Sequence, residues 1–172
     1  MTDFETEFGE SFVGSGPDAA HLNTVLGAKG GPVETAWTTA LATPRPGHAA
    51  FVTILRPGIP AKPMTLFVNK ATVTDPKHSG LTWGPAQAGV ASGVMWAVAD
   101  GIVDASLVDD LLLICAVWVS PEADDEGSVY ANNREATRRA LESGKRHTPT
   151  LDEVMAVRDA PLNGYYLPPG TV

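Results

Sequence analysis

The sequence predicts an α+β fold, a two-layer sandwich in which helices cover a mixed β-sheet. Three observations predict it. Short apolar or alternating runs, stopped by Gly and Pro, are interleaved with longer segments of helical period. Strand-like runs also follow one another without a helix between them, at 8–13 and 20–26 and again at 49–55 and 64–73. The run 111–119 is nearly all apolar, as a central strand covered on both faces requires.

Residues 8–13 read as a strand, and Gly14-Ser15-Gly16-Pro17 turns the chain. Residues 20–26, stopped by Gly27, are too few for a good helix and read as a second strand. A helix is expected over 32–41, with Pro32 in the first turn, Glu34 close behind, and Ala36, Trp37, Ala40 and Leu41 at helical spacing. Residues 49–55 read as an apolar strand and 56–60, Arg56-Pro57-Gly58-Ile59-Pro60, as irregular chain. A strand is expected over 64–73. The clearest helix is expected to start with Gly84 as cap and Pro85 in the first position, and to run to Ile102. Its Gly89, Ala91, Ser92 and Gly93 are small enough for close packing. A helix over about 129–141 should stop at Gly144 in a left-handed turn, and a weaker one covers 151–157. We read 1–160 as a single domain and 161–172 as an irregular tail.

With 20 acidic and 12 basic residues among 172, the net charge is −8. That balance opposes non-specific nucleic-acid binding and attachment to an anionic membrane surface. The acidic start lacks a basic, then apolar, leader, and no run reaches the 18 or so apolar residues of a membrane span. The single Cys115 admits no internal disulfide and suits a reducing, cytoplasmic setting.

Gly14-Ser15-Gly16-Pro17-Asp18-Ala19 matches the dinucleotide fingerprint in letters only, because no helix follows it. His21 and Asn23 share one face of their strand, with Leu22, Thr24 and Leu26 on the other. Lys70 and Thr72 repeat the pattern, at the end of the apolar row of Met64, Leu66 and Val68. Gln87 falls in the first turn of the helix expected to start at Gly84, where amide donors are free. An imidazole, an ammonium, a hydroxyl and two amides could thus share a cleft; equally, each could be an ordinary surface group. Glu122, Asp124, Asp125 and Glu126 lack the spacing of a calcium loop and read as a solvated acidic loop. His48, His78 and His147 have no ligand spacing with one another, so no metal site is expected.

Several short motifs occur in one order: Gly14-Ser15-Gly16-Pro17 through Ala20-His21-Leu22, Pro57-Gly58-Ile59-Pro60-Ala61-Lys62-Pro63, Asn69-Lys70, Trp83-Gly84-Pro85-Ala86-Gln87, Asp109-Asp110-Leu111 and Glu135-Ala136-Thr137. In that order the chain resembles the formaldehyde-activating enzymes, from about Gly9 to Gly144. The resemblance implies a small α+β protein assembled as a cyclic homopentamer, with pterin sites between subunits. It implies condensation of formaldehyde with tetrahydromethanopterin to the methylene pterin and water, without a metal. His21 resembles the family's catalytic histidine, the general acid. Lys70, Thr72 and Gln87 resemble its pterin contacts, and Val52 stands where an apolar contact, commonly leucine, is found. Asn23 departs from the pattern, since the family usually has aspartate there. An amide keeps a hydrogen-bonding carbonyl and loses the charge. That departure leaves a rival reading open: a non-catalytic relative that binds a pterin or a formaldehyde adduct as carrier or sensor. A second domain of the hexulose-phosphate synthase kind, fused in some relatives, is not expected.

Overall fold

The computed structural model describes residues 4–73, 75–163 and 166–169. Its centre is a five-stranded mixed sheet in the order β1-β2-β7-β6-β3. These strands are β1 (Glu7–Val13), β2 (Ala20–Ala28), β3 (Phe51–Val52), β6 (Met64–Asn69) and β7 (Leu111–Trp118). β2 pairs antiparallel with both β1 and β7, β3 pairs antiparallel with β6, and β6 runs parallel to β7. β7 therefore lies at the middle of the sheet, as its unbroken apolar run requires.

Two helices cover one face. α3 (Gln87–Ala99) sets Val90, Val94 and Ala97 against the sheet, and α4 (Glu126–Arg146) adds Val129, Ala136, Ala140 and Leu141. They meet Leu22 and Leu26 of β2, Leu113, Cys115 and Val117 of β7, and Phe67 of β6. Cys115 is fully buried, and burial pushes its thiol far above the usual range, so it is an inert core group. The other face carries less. α1 (Pro32–Ala42) lays Val33 and Trp37 on Leu66 and Leu112 and leaves the rest of that face open. The expected two layers thus gain a partial third.

Missing side chains set the spacing of the covered face. A Cβ on Gly9 would stand 1.8 Å from the Ala140 carbonyl oxygen, one on Gly89 2.5 Å from that of Tyr130, and one on Gly93 2.4 Å from that of Arg134. β1 and α3 both approach α4 at backbone distance.

Several expected boundaries move, each for a physical reason. The helix expected at Gly84 begins earlier, as α2 (Pro76–Leu81), where Asp75 caps it by accepting from the His78 N–H at 2.9 Å. Asp75-Pro76 is a better cap and first position than Gly84-Pro85, because aspartate supplies an acceptor. The chain then passes through a wide π-type turn, Thr82–Ala86, into α3. Pro85 lies inside that turn, whose extra width accommodates the ring and the missing N–H. α3 ends at Ala99 and not at Ile102, and Gly101 takes a φ of 71°. α4 does not stop at Gly144. It runs to Arg146 and closes on His147 at φ 51°. Gly144 is buried inside the helix against the Phe8 backbone.

The segment expected to be irregular forms a ribbon, β4 (Ile54–Arg56) with β5 (Ile59–Pro60). Pro57 and Gly58 take the two central turn positions, Gly58 at φ 79°, so the pair reverses the chain. The strand expected at 49–55 divides into β3 and β4 around Thr53, whose N–H still donates to the Thr65 carbonyl at 2.9 Å. The strand expected over 64–73 ends at Asn69. α5 (Leu151–Ala156) opens with a capping box between Thr150 and Glu153. Of the tail, 164, 165 and 170–172 lie outside the described residues; Asn163 and Tyr166 form an isolated bridge. No helix among the described residues is long and apolar enough to cross a membrane.

Gly93→Ala tests the close packing. The added Cβ must force α3 from α4 or distort both, so a loss of about 1–3 kcal/mol is expected in urea unfolding. An unchanged midpoint would show that the helices have room to separate.

Candidate active site

The open face of the sheet is ordered by register. His21 stands opposite Phe12 of β1 and Trp118 of β7. In the next row Asn23 stands opposite Glu10 and Ala116, and in the next Val25 stands opposite Phe8 and Ile114. α1 packs on the end of this face that holds Val25, Ile114 and Leu66. The end that holds His21 stays open and forms a groove of about 1210 Å³, lined also by the 14–17 turn, Glu122 and Leu162.

Lys70 enters this groove from the end of β6. Its N–H donates to the Val117 carbonyl at 2.7 Å, so the parallel ladder runs one residue past the strand. Its Nζ donates to Asn23 Oδ1 at 2.8 Å and lies 3.5 Å from His21 Nδ1. Burial pulls the Lys70 ammonium below the usual lysine range, and the negative charge of Glu10 partly counters this. On the other side of the ring, His21 Nε2 lies 2.9 Å from a Glu10 carboxylate oxygen. The Phe12 ring sits 6.1 Å away, centre to centre, at a tilt of 43°. His21, Asn23 and Lys70, picked out by period-two spacing, thus form one polar cluster.

The other expected residues lie apart from it. Thr72 is not on a strand. The Asn69 side chain donates to the Gly47 and Ala71 carbonyls and turns the chain away. The Thr72 hydroxyl lies 2.9 Å from His48 Nε2, while His48 Nδ1 lies 3.0 Å from the Asn69 carbonyl oxygen. Gly47 makes this clamp possible, because a Cβ there would meet the Thr72 methyl at 2.5 Å. Gln87 is not at a free helix start. Its N–H already donates to the carbonyls of Gly84 and Thr82. Its side-chain oxygen accepts from the Ile54 N–H at 2.6 Å. Gln87 and Val52 line a second, smaller pocket of about 280 Å³ with Phe51, Ile54 and Trp83, beside edge strand β3. One chain therefore presents two separate pockets.

Two groups were missed in the sequence. Glu10 falls on the same face as Phe8 and Phe12 by simple alternation, but its nearness to His21 needs the β1–β2 register. His48 sits in a Pro- and Gly-rich stretch with no periodic signal, and only the fold brings it to Thr72. Among the described residues no group of three or more His, Cys, Asp or Glu is arranged to hold a metal ion.

The sequence pattern of the formaldehyde-activating enzyme (Fae) family matches residues 8–165. A 5,6,7,8-tetrahydromethanopterin hydro-lyase of Methanosarcina barkeri is 42% identical over 152 residues, which cover 88% of this chain and 85% of that protein. A bifunctional enzyme Fae/Hps of Methanosphaera stadtmanae is 36% identical over 162 residues, 92% of this chain and 40% of its own length. Another, from Methanococcoides burtonii, is 35% identical over 151 residues, 88% of this chain and 38% of its own length. The chain spans well under half of these bifunctional relatives.

Gln87→Leu removes the acceptor that holds the Ile54 N–H. A loss of about 1–3 kcal/mol is expected in unfolding experiments, since a half-buried donor is left unpaired, and Gln87→Glu should keep the bond. Equal stability of the Leu variant and the wild type would show that the bond does not hold β4 to α3.

Proposed function

The chain belongs to the formaldehyde-activating enzyme family, and on that premise we propose that it condenses formaldehyde with tetrahydromethanopterin to methylene-tetrahydromethanopterin and water. The observation that carries this reading is the His21, Asn23 and Lys70 cluster in an open groove. The chemistry needs one well-placed acid. An amine of the pterin adds to formaldehyde and gives a carbinolamine. His21 protonates its hydroxyl, the C–O bond breaks, and water leaves as the nitrogen lone pair forms an iminium. The second amine closes the ring and releases a proton. A positioned general acid accelerates such a step about 10²–10⁴-fold, and holding the pterin adds to that. Lys70 supplies an ammonium for the polar edge of the pterin, Thr72 and Gln87 supply neutral polar groups, and Val52 supplies apolar contact.

The separation of the two pockets supports a further part of the reading: the site is completed between subunits of a cyclic homopentamer. Gln87, Val52 and Trp83 of one copy would then face the His21 groove of the next. Phe8 and Phe12 beside the groove, and Ile54, Leu55, Ile59 and Trp83 beside the second pocket, are exposed apolar groups suited to such an interface. A lone buried thiol agrees with work in a reducing cytoplasm.

Stopped-flow mixing of formaldehyde with tetrahydromethanopterin, against the spontaneous rate, checks the activity. His21→Gln should lose about 10²–10⁴-fold in rate while pterin binding changes little, because the acid acts in the transition state. Lys70→Ala should weaken binding by about tenfold or more. The lowered pKa of Lys70 sets the sign of the pH effect: affinity falls as pH rises through that lowered range, before a free lysine would lose its charge. A wild-type protein that binds the pterin tightly but leaves the spontaneous rate unchanged is a carrier and not an enzyme.

Sedimentation equilibrium checks the assembly. A multiple of the 18.0 kDa subunit, five by this reading, is expected at micromolar concentration. A monomer would remove any site shared between copies.

A further inference from the structure

We propose that Glu10 is the positioning residue of the His21 site: its carboxylate fixes the imidazole ring and makes Nδ1 the atom that delivers the proton. This inference rests on the reading of His21 as the general acid.

Glu10 stands on β1 directly opposite Asn23, and Phe12 stands directly opposite His21. The Glu10 side chain reaches diagonally along the open face, and its Oε1 lies 2.9 Å from His21 Nε2. The two side chains are 59% and 39% exposed, so the pair faces the groove where a substrate can reach it. An ionised carboxylate only accepts hydrogen bonds. His21 Nε2 therefore carries a hydrogen whether the ring is neutral or charged, and Nδ1 is the nitrogen whose proton comes and goes.

The surroundings of Nδ1 fit that task. Lys70 Nζ lies 3.5 Å away, a longer contact than its 2.8 Å bond to Asn23 Oδ1. Asn23 thus takes the shorter of the two Lys70 contacts, while the ammonium faces Nδ1 as a donor to the neutral ring and must turn to Asn23 when Nδ1 is protonated. In the charged ring, Nδ1–H donates to the carbinolamine hydroxyl. The proton passes to oxygen, the C–O bond breaks, water leaves, and the nitrogen lone pair becomes the C=N bond. The second amine adds to that carbon, and the proton it gives up returns to Nδ1. The Nε2–H bond to Glu10 persists in both states, so the ring keeps its aim from one turnover to the next.

Nuclear magnetic resonance of protein labelled with ¹⁵N-histidine reads the tautomer directly, His21 being assigned by the signals lost in His21→Gln. The neutral wild-type ring should carry its hydrogen on Nε2, and Glu10→Ala should lose that preference. In stopped-flow kinetics Glu10→Ala should lower kcat by about tenfold to a hundredfold with little change in KM for the pterin. Glu10→Gln keeps a neutral acceptor and should recover part of the rate. Asn23→Ala should raise KM through Lys70 and leave the His21 tautomer as it is. A wild-type His21 with its hydrogen on Nδ1, or Glu10→Ala with full kcat, would overturn the proposal. The tautomer is read without turnover, so a protein that proves inactive defeats the catalytic reading and still leaves Glu10 to be judged by the spectrum.

Discussion

The pairing of β2 with β1 on one side and β7 on the other is the constraint on which the site depends. It fixes which side chains face the core and which face the groove. A slip of one residue would turn Leu22 and Leu26 out into water and bury His21 and Asn23. The layer above holds the register, because Leu22 and Leu26 are buried in the core on the face of β2 that α4 covers. The chemistry of the open face is thus stabilised by apolar contact on the opposite face of the same strand. The glycines of the covered face belong to this arrangement, since Gly9 lets α4 rest on β1, the strand that carries Glu10.

Uneven coverage turns that register into a site. α1 is short and covers only the end of the open face around Leu66 and Leu112. The remaining end exposes polar groups that a complete third layer would have to bury. Lys70 shows the resulting balance. The groove dehydrates its ammonium, and the nearby Glu10 charge and the Asn23 carbonyl offset part of that loss. The apolar edges around Phe12 and Trp83 remain bare in the single chain. Register and coverage together explain why one chain presents two separate pockets.

Most elements were legible in the sequence, and the misplaced ends have a common cause. Pro85 and Pro76 both look like first helical positions, and local pattern could not tell that a π-type turn would absorb Pro85. Gly144 looks like a helix stop, yet it serves close packing against β1, a contact far away in sequence. Pro57-Gly58 is a pair suited to the centre of a tight turn, although the flanking Arg56 and Pro60 give it the look of irregular chain. Of the site, His21, Asn23 and Lys70 were legible because alternation places each on a known face. Thr72 and Gln87 were also picked out by local pattern, but the strand and the free helix start expected around them are not there. Thr72 leaves the strand because Asn69 captures the Gly47 and Ala71 carbonyls.

The sequence by itself determined the type and order of most elements, the two faces of β2, the inert burial of Cys115 and the family. These follow from periodicity, turn chemistry and linked motifs, all of which are local in the chain. Only the tertiary structure decided that Glu10 meets His21, that Lys70 rests on Asn23, and that His48 clamps Thr72. Each of those pairs joins segments whose distance in space depends on strand register or loop closure, and neither quantity is written in the residues between them. The physical reason is the same throughout: a side chain's face is set by its own backbone, while its neighbours are set by the packing of the whole chain.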